Sequence, residues 1–523
     1  MSPQVSHSRQ VWQPPAGGFW EGAWRDGDQR MSVHDPEDGA YVGTVMDATD
    51  TEVRRAVAYV SRGHRRLAWP LWERRAAIEG TAAALAASAD RFATIIATEG
   101  CKTITEARAE VGRAIETLRL TSQAAAALTG RTVPFDNTPR GLGWTGWYTR
   151  EPVGVVATIT PFNDPLNLVA HKLGPALLAG NAVVLKPAPA TPLTALALVE
   201  LFLDNGVPGE YLAAVPGVNA GQALVADPLV DVVSFTGGPR TADRIAQGGP
   251  ARKLIMELGG NNALIACADA DPAAVAAAVV DGAFGVAGQN CLSVQRVFVE
   301  EDLYPEVLER VVRATAALVV GTKHDPATDV GPLVTEAEAQ RVAAWIDEAV
   351  AAGATLHTGG ARKGSFVTPA VLTDVPGDAR IRVDEVFGPA VLIDPFSDLH
   401  EAVVSANAVD TGLQAGVFTH DVDRALAIAD ALTAGAVLIN SSSDFRIDAM
   451  PFGGFKRSGI GREGIESVID QLTEPKIVAI NRGGARLSER QPRDSRTGGS
   501  DREVREDRLA HSGSQAGPVE GIA

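Results

Sequence analysis

Val153-Gly154-Val155-Val156-Ala157-Thr158-Ile159-Thr160-Pro161-Phe162-Asn163 opens a run in which short apolar segments alternate with helix-like ones. Further apolar segments follow at 182–186, 211–215 and 232–235, separated by helical patterns over 165–178, 192–205 and from Thr241 onward. Alternation of this kind predicts a parallel sheet joined by helical crossovers, a layout in which ligands bind at the carboxyl ends of the strands. The loops after these strands are therefore the first places to look for a site. They are Thr160-Pro161-Phe162-Asn163, Lys186-Pro187-Ala188-Pro189, Pro216-Gly217 and Thr236-Gly237-Gly238. None contains the G-x-G-x-x-G or Walker A spacing, so a nucleotide here would have to be held in another way.

On the amino-terminal side, residues 12–48 carry turn residues and short strand-like pieces such as 41–45. The stretch from Thr51 to about Ala127, rich in Ala, Arg, Glu and Leu, predicts three or more amphipathic helices. Residues 131–150, ending in Trp144-Thr145-Gly146-Trp147-Tyr148, read as a β excursion suited to a hairpin arm. On the carboxyl-terminal side a second alternating block runs from about Asn262 to Asn440. Its expected helices lie at 272–287, 303–319 and 336–352, and its expected strands include 294–299 and 391–393. It ends in the glycine-rich loop Met450-Pro451-Phe452-Gly453-Gly454-Phe455-Lys456-Arg457-Ser458-Gly459-Ile460-Gly461-Arg462-Glu463, followed by a closing strand near 476–480. Residues 483–523 have almost no large apolar side chains and balanced charge, which predicts a disordered tail and argues against a nucleic-acid arm.

The bulk properties narrow the class. A chain of 523 residues with 45% apolar content has room for about two to four domains. Its net charge of −17 argues against a nucleic-acid or acidic-membrane surface binder. Cys101, Cys267 and Cys291 are too few and too scattered for a disulfide framework or a cysteine-rich metal site, so a reducing compartment and no metal are expected. Residues 1–15 lack a basic-then-apolar signal pattern, and no apolar run reaches the roughly 18 residues a membrane span needs, so the expectation is a cytoplasmic protein.

Two motifs carry the chemistry. Met256-Glu257-Leu258-Gly259-Gly260 offers a carboxylate beside a tight turn, and Gly288-Gln289-Asn290-Cys291 offers a thiol. A cysteine at its free pKa of about 8.5 is mostly protonated at neutral pH and needs a base or a polar site to act as nucleophile. Glu257 and Cys291 are too far apart in sequence to share one helix face, so only the fold can bring them together. An ordinary turn and a buried core cysteine remain the alternative at this point.

With these motifs in their order, the chain resembles the aldehyde dehydrogenase superfamily from about Trp20 to Asn481. The resemblance rests on Thr160-Pro161-Phe162-Asn163, Lys186-Pro187, Phe235-Thr236-Gly237, Glu257-Leu258-Gly259-Gly260 and Gly288-Gln289-Asn290-Cys291. It extends through Glu385-Val386-Phe387-Gly388-Pro389 and Pro451-Phe452-Gly453-Gly454 with Lys456, Ser458 and Gly459. It implies two doubly wound α/β parallel-sheet domains, one Rossmann-like for the cofactor and one catalytic, with a small β bridging arm. The cofactor-binding domain would comprise residues 1–128 and 150–257, the catalytic domain 258–445, and the arm 129–149 with 470–482. A homodimer or homotetramer is implied by that arm.

The resemblance also assigns roles. Cys291 would attack the aldehyde carbon, with Asn163 and the cysteine N–H holding the oxyanion, and Glu257 would activate the water that releases the acid. Lys172 matches a lysine near the proton path. Asn163 read alone is also a good turn residue before Pro165. The cofactor, NAD or NADP, would be met by Thr160, Pro161, Phe162, Lys186, Pro189, Gly217, Thr236, Gly237, Gly238, Leu258, Glu385 and Phe387. Pro189 stands where many NAD-preferring members carry a glutamate, so the usual cause of NADP rejection is missing and a dual preference is expected. Gly238 stands where a serine is common.

The pattern looks most like the lactaldehyde, phosphonoacetaldehyde and non-phosphorylating glyceraldehyde-phosphate branch, whose substrates are small and polar or anionic. Arg113, Asn290, Leu292, Ser442, Ser443 and Arg446 would line the substrate pocket, with Arg113 and Arg446 as candidates for an anion clamp. Structural ion pairs with Glu110 or Asp448 are the alternative for both arginines. His171 and the cysteines at 101 and 267 read as packed core residues, and Arg296 as an anchor for its strand. Two other readings stay open: an inactive protein of the same fold, and an acylating, coenzyme A-dependent enzyme, which the presence of Glu257 disfavours.

Overall fold

The computed structural model describes residues 11–482; the predicted tail lies outside the described residues. Its larger sheet contains, in spatial order, strands Ala23–Arg25, Gly18–Trp20, Leu212–Ala214, Ala182–Lys186, Val155–Ile159, Val232–Thr236, Lys253–Glu257 and Gly459–Ile460. The five from Leu212–Ala214 to Lys253–Glu257 run parallel. All residues of Val155–Ile159 and Ala182–Lys186 are buried, as strands covered on both faces must be.

The chain winds outward from Val155–Ile159 in one direction, then crosses back to lay Val232–Thr236 on its other side. That reversal makes a topological switch point, where the loops diverge and leave a crevice at the carboxyl edge. Register puts Ile159 opposite both Lys186 and Phe235, and Thr236 opposite Glu257. Lys186, Thr160, Thr236 and Glu257 therefore emerge along a single edge.

The second sheet has the order Thr355–Thr358, Ala370–Thr373, Ala390–Phe396, Val294–Glu300, Asn262–Ala266, Gln414–Phe418 and Ala436–Ile439. Every neighbouring pair in it is parallel except the first. Residues 258–261 carry the chain directly from the end of one sheet into the start of the other. Glu257 closes a strand of the first sheet, and Cys291 stands just before the second-sheet strand Val294–Glu300.

Four helices, Asp50–Arg66, Leu71–Ala87, Ala89–Glu99 and Ile104–Gln123, fill the predicted amino-terminal helical stretch. Two of them begin with reciprocal capping boxes, Thr49 with Glu52 and Thr103 with Glu106. Arg131–Thr132, Trp144–Pro152 and Thr473–Asn481 form a three-stranded sheet. Among the described residues, 133–146 and 478–482 belong to a small compact unit of their own.

Several helix boundaries differ from the sequence reading by one to three residues, among them the ends of the helices Pro239–Gly248 and Tyr304–Ala316, and two of the differences have a visible cause. The expected 165–178 helix starts at Asn167, because the buried Glu110 carboxylate accepts the Leu166 and Asn167 N–H groups at 2.8 and 3.0 Å and caps it there. The expected 272–287 helix ends at Phe284, because Val286 and Ala287 both take positive φ of 52°. Each such residue costs about 1–2 kcal/mol, so neighbouring contacts must hold it in place.

Candidate active site

The left-handed turn 286–288 aims the next three residues. Val286 N–H donates to Glu106 Oε1 at 2.6 Å, while the other Glu106 oxygen caps the helix Ile104–Gln123 through Thr103 N–H. Gln289 donates to the Val286 and Pro332 carbonyls and accepts the Val334 N–H at 2.8 Å. Asn262 Nδ2 holds the Cys291 and Ser293 carbonyls at 2.8 and 3.0 Å. Cys291 is thus held through its carbonyl by a strand of the second sheet and through the preceding turn by Glu106, with its thiol half-buried beside Leu292, Leu413 and Phe452.

Gly259 and Gly260 allow the closest approach here. A methyl on Gly259 would collide with the Glu385 carboxylate, and one on Gly260 would come within 2.9 Å of the Cys291 carbonyl. Gly260 N–H also donates to Glu385 Oε1 at 3.1 Å. The Glu257 turn, the Glu385 loop and the cysteine backbone therefore pack directly on one another.

Glu257 is buried, and neither of its carboxylate oxygens has a hydrogen-bond partner among the described residues. Burial, then the neighbouring Glu463 charge, pushes its pKa well above the usual carboxylate range. Glu463 has the opposite fate. Its carboxylate accepts from Lys172 Nζ at 3.0 Å, Arg446 Nη2 at 3.2 Å and Thr236 Oγ1 at 3.3 Å. Although burial opposes ionisation, Lys172 and Arg446 carry its pKa down to about 2. Lys172 donates further to Ser234 Oγ at 3.2 Å. Two carboxyls close enough to interact are thus driven apart, one kept anionic and one poised to hold a proton.

The thiol of Cys291 is raised above its ordinary value, first by burial and then by Glu385, with Arg446 opposing. Arg446 and Glu463 bear on Cys291 and on Glu257 alike, so the two motif ends occupy one electrostatic environment. Asn163 is buried at the end of the loop following Val155–Ile159, and its neighbour Asp164 also acts on Cys291.

The two clamp candidates have different surroundings. The Arg446 side chain is only 6% exposed; it bonds Glu463 and stacks 3.9 Å over the Phe452 ring. The Arg113 side chain is 37% exposed and reaches Asp164 and Asp448, each at 3.3 Å. Among the described residues Glu110 forms no direct ion pair with either arginine: besides capping the helix, it pairs with Lys102 at 2.7 Å. Leu292 and Ser443 are buried, and Ser443 donates to the Leu292 carbonyl at 2.7 Å. His171 is buried against Asp448 at 2.8 Å, and Arg296 ties its strand to Asn261, Ser405 and Ala406.

Along the carboxyl edge, Phe162 meets Phe387 edge-to-face with ring centroids 5.9 Å apart. Lys186 is buried and makes no ion pair among the described residues; desolvation lowers its pKa to about 8. Glu385 is lifted to about 7 by burial, which Gly260 N–H only partly offsets. The helix Pro239–Gly248 opens at Gly238 with no side-chain cap, and a Cβ at Gly238 would meet nothing within 4 Å. Thr160, Leu258 and Gly217 are buried and Pro161, Pro189, Thr236 and Gly237 half-buried around this crevice. A buried cation without an ion pair among the described residues, a half-buried carboxyl held by one backbone N–H and an open helix N-terminus suit a ligand with hydroxyls and phosphates.

The sequence pattern of the aldehyde dehydrogenase family matches residues 24–478. The chain belongs to the aldehyde dehydrogenase family. It is 42% identical to aspartate-semialdehyde dehydrogenase 1 of Pseudomonas canavaninivorans over 87% of this chain and 97% of that one. It is 39% identical to 3-sulfolactaldehyde dehydrogenase of Priestia megaterium over 89% and 98%. Among solved structures it resembles the NADP-dependent glyceraldehyde-3-phosphate dehydrogenase of Bacillus halodurans, complexed with NADP. The TM-score is 0.88 at 33% identity, covering 90% of this chain and all of the other.

For an aldehyde dehydrogenase, Glu463 is the residue the sequence reading passed over. It lies in the quoted glycine-rich loop, but its partner Lys172 is 291 positions away, and nothing local marks a glutamate after Gly-Arg as buried. Asp444, which accepts a hydrogen bond from Asn290 Nδ2, was missed for the same reason.

Proposed function

We propose that this chain oxidises a small polar aldehyde to its carboxylic acid, with Cys291 Sγ as nucleophile, Glu257 as general base and NAD or NADP as acceptor. The observation that carries the reading is the Glu257 carboxyl, buried without a partner and sharing Arg446 and Glu463 with the Cys291 environment. A carboxylate whose proton affinity is raised by its surroundings, and which is free of structural hydrogen bonds, is in its ionised form a good acceptor for a proton from water.

Cys291 first loses its S–H proton to solvent; as the thiolate, Sγ adds to the aldehyde carbon, and the oxygen, which takes the negative charge, is held by Asn163 and the Cys291 N–H. When bound, the nicotinamide supplies the two-electron acceptor for the oxidation. Lys186 and Glu385 would hold the dinucleotide's sugars, and Phe387, braced by Phe162, would flank its reactive end. The cysteine thioester is then hydrolysed by water that loses its proton to Glu257. The proton path outward runs toward Lys172 and Glu463, whose ion pair stays charged while Glu257 cycles.

Arg113 supports recognition of an anionic tail, because its side chain is partly exposed and its contacts with Asp164 and Asp448, each at 3.3 Å, are longer than the usual charge-assisted bond. Arg446, closed in by Glu463 and Phe452, supports instead a role in setting the charge around the two reactive groups. The relatives' names, aspartate-semialdehyde and 3-sulfolactaldehyde dehydrogenase, favour a substrate with a charged tail. With Pro189 in place of a carboxylate, both cofactors are accepted on this reading. The exposed Ile477, Val478 and Ile480 support pairing of that strand with another copy, as a dimer or tetramer. Among the described residues no helix is long and apolar enough to cross a membrane, and the three cysteines are free, which supports a reducing compartment.

A panel of short aldehydes bearing sulfonate, phosphonate, carboxylate or hydroxyl groups, read by reduced-nicotinamide absorbance, tests the reading. Oxidation of at least one by the parent protein, and its loss in Cys291→Ser, is expected; undiminished oxidation by Cys291→Ser would overturn it.

A further inference from the structure

Asn290 precedes the nucleophile, and both ends of its side-chain amide are fixed. Its Nδ2 donates to Asp444 Oδ1, while its Oδ1 accepts the Leu292 N–H at 3.1 Å. An amide N–H can only donate and a carboxyl oxygen can accept, so the two contacts impose the same orientation and the amide cannot turn over. The consequence falls on the sulfur: Asn290 Oδ1 lies 3.8 Å from Cys291 Sγ and accepts its S–H. We propose that Asn290, held in this orientation by Asp444, keeps the resting nucleophile as a thiol, and that Asp444 is a positioning residue acting on Cys291 through Asn290. This rests on the reading of Cys291 as the nucleophile.

The physical reason is the sign of the dipole. A carbonyl oxygen facing sulfur favours S–H and disfavours the thiolate, whereas an amide NH₂ in the same place would do the reverse. The charged groups acting on Cys291 are Glu385, Asp164 and Glu463, with Arg446 opposing them; Asp444 is not among the main ones. Asp444 itself faces Asp281, Asp164 and Arg113, and burial followed by Asp281 raises it to about 7. Either protonation state retains an oxygen that accepts from Asn290. The effect of Asp444 on the sulfur is therefore one of orientation and not of charge.

The test is the pH profile of Cys291 carboxamidomethylation by iodoacetamide over roughly pH 6 to 10, read by peptide mass spectrometry with buried Cys101 and Cys267 as internal references. Asn290→Ala is expected to lower the midpoint by about one unit, making alkylation near neutral pH roughly tenfold faster. Asn290→Val reads the same shift should the alanine variant fold poorly. Asp444→Ala should move the midpoint the same way by a smaller step, because Leu292 N–H still holds one end of the amide. Asp444→Asn, which removes the charge and keeps an acceptor oxygen, should follow the parent. A parental midpoint in the Asn290 variants, or an Asp444→Asn shift as large as that of Asp444→Ala, would overturn the proposal. Alkylation is read without turnover, so its outcome is separate from whether Cys291→Ser still oxidises aldehydes.

Discussion

At the scale of single residues, the contrast between Glu257 and Glu463 decides most of the chemistry. They are alike in composition and burial, yet only Glu463 has cations in contact. On the proposed reading, replacing Glu257 by Gln removes the base and leaves thiol addition intact. A pre-steady-state burst of reduced nicotinamide should survive while steady turnover falls by about 10²–10⁴-fold. Because the pKa of Glu257 is raised, the group is protonated at the acid end. Turnover should therefore climb as pH rises through that raised value, and a pH-rate profile in Glu257→Gln should lose the acid limb. Glu257 was legible as a candidate because Gly259 and Gly260 follow it. Its partnerless burial was not, since that depends on loop 450–463 folding over it.

At the scale of elements, the turn 286–288 shows backbone conformation being held by distant contacts. Val and Ala carry no signal for positive φ, so the helical reading ran on to Ala287; only the flanking Gly285 and Gly288 hinted at an earlier end. Val286→Gly removes the steric cost of about 1–2 kcal/mol but adds chain entropy, so chemical denaturation should show a change within about 1 kcal/mol. The same substitution at Val279, fully buried inside the helix Pro272–Phe284, should cost several-fold more.

The helix Asn167–Leu178 and the loop carrying Glu463 are tied by the buried Lys172–Glu463 pair. Lys172→Met or Glu463→Leu alone strands a buried charge and should cost about 3–5 kcal/mol, and the double variant should cost less than the sum of the two. Glu463 has a depressed pKa, so its stabilising effect is present above about 4.5 and is lost as pH falls toward about 2. Acid titration of the parent should show this loss, and Glu463→Leu should flatten it.

At the scale of the whole molecule, the two parallel sheets could be read from sequence because their strands are short apolar runs separated by helical periods. Ala182–Lys186 is an example, its ends matching the apolar segment read at 182–186. The order of the strands could not be read, because hydrogen-bonded neighbours such as Val155–Ile159 and Val232–Thr236 are separated by some seventy positions. That order creates the crevice at the carboxyl edge and lines up Lys186, Thr160, Thr236 and Glu257. The reactive pair was recoverable only as motifs, since Glu257 ends one sheet and Cys291 introduces a strand of the other. The ion-pair networks around Arg113, Arg446 and Glu463 join segments too distant for any local pattern to record.

The proposed chemistry requires that an acyl group form on one sulfur, that of Cys291. Glu257→Gln mixed with an aldehyde substrate and oxidised nicotinamide cofactor, quenched in acid and digested, should yield the peptide containing Cys291 heavier by the acyl group, with Cys101 and Cys267 unmodified. Aldehyde oxidation with Cys291 unmodified throughout, or an acyl group found on either of the other two cysteines instead, would contradict it.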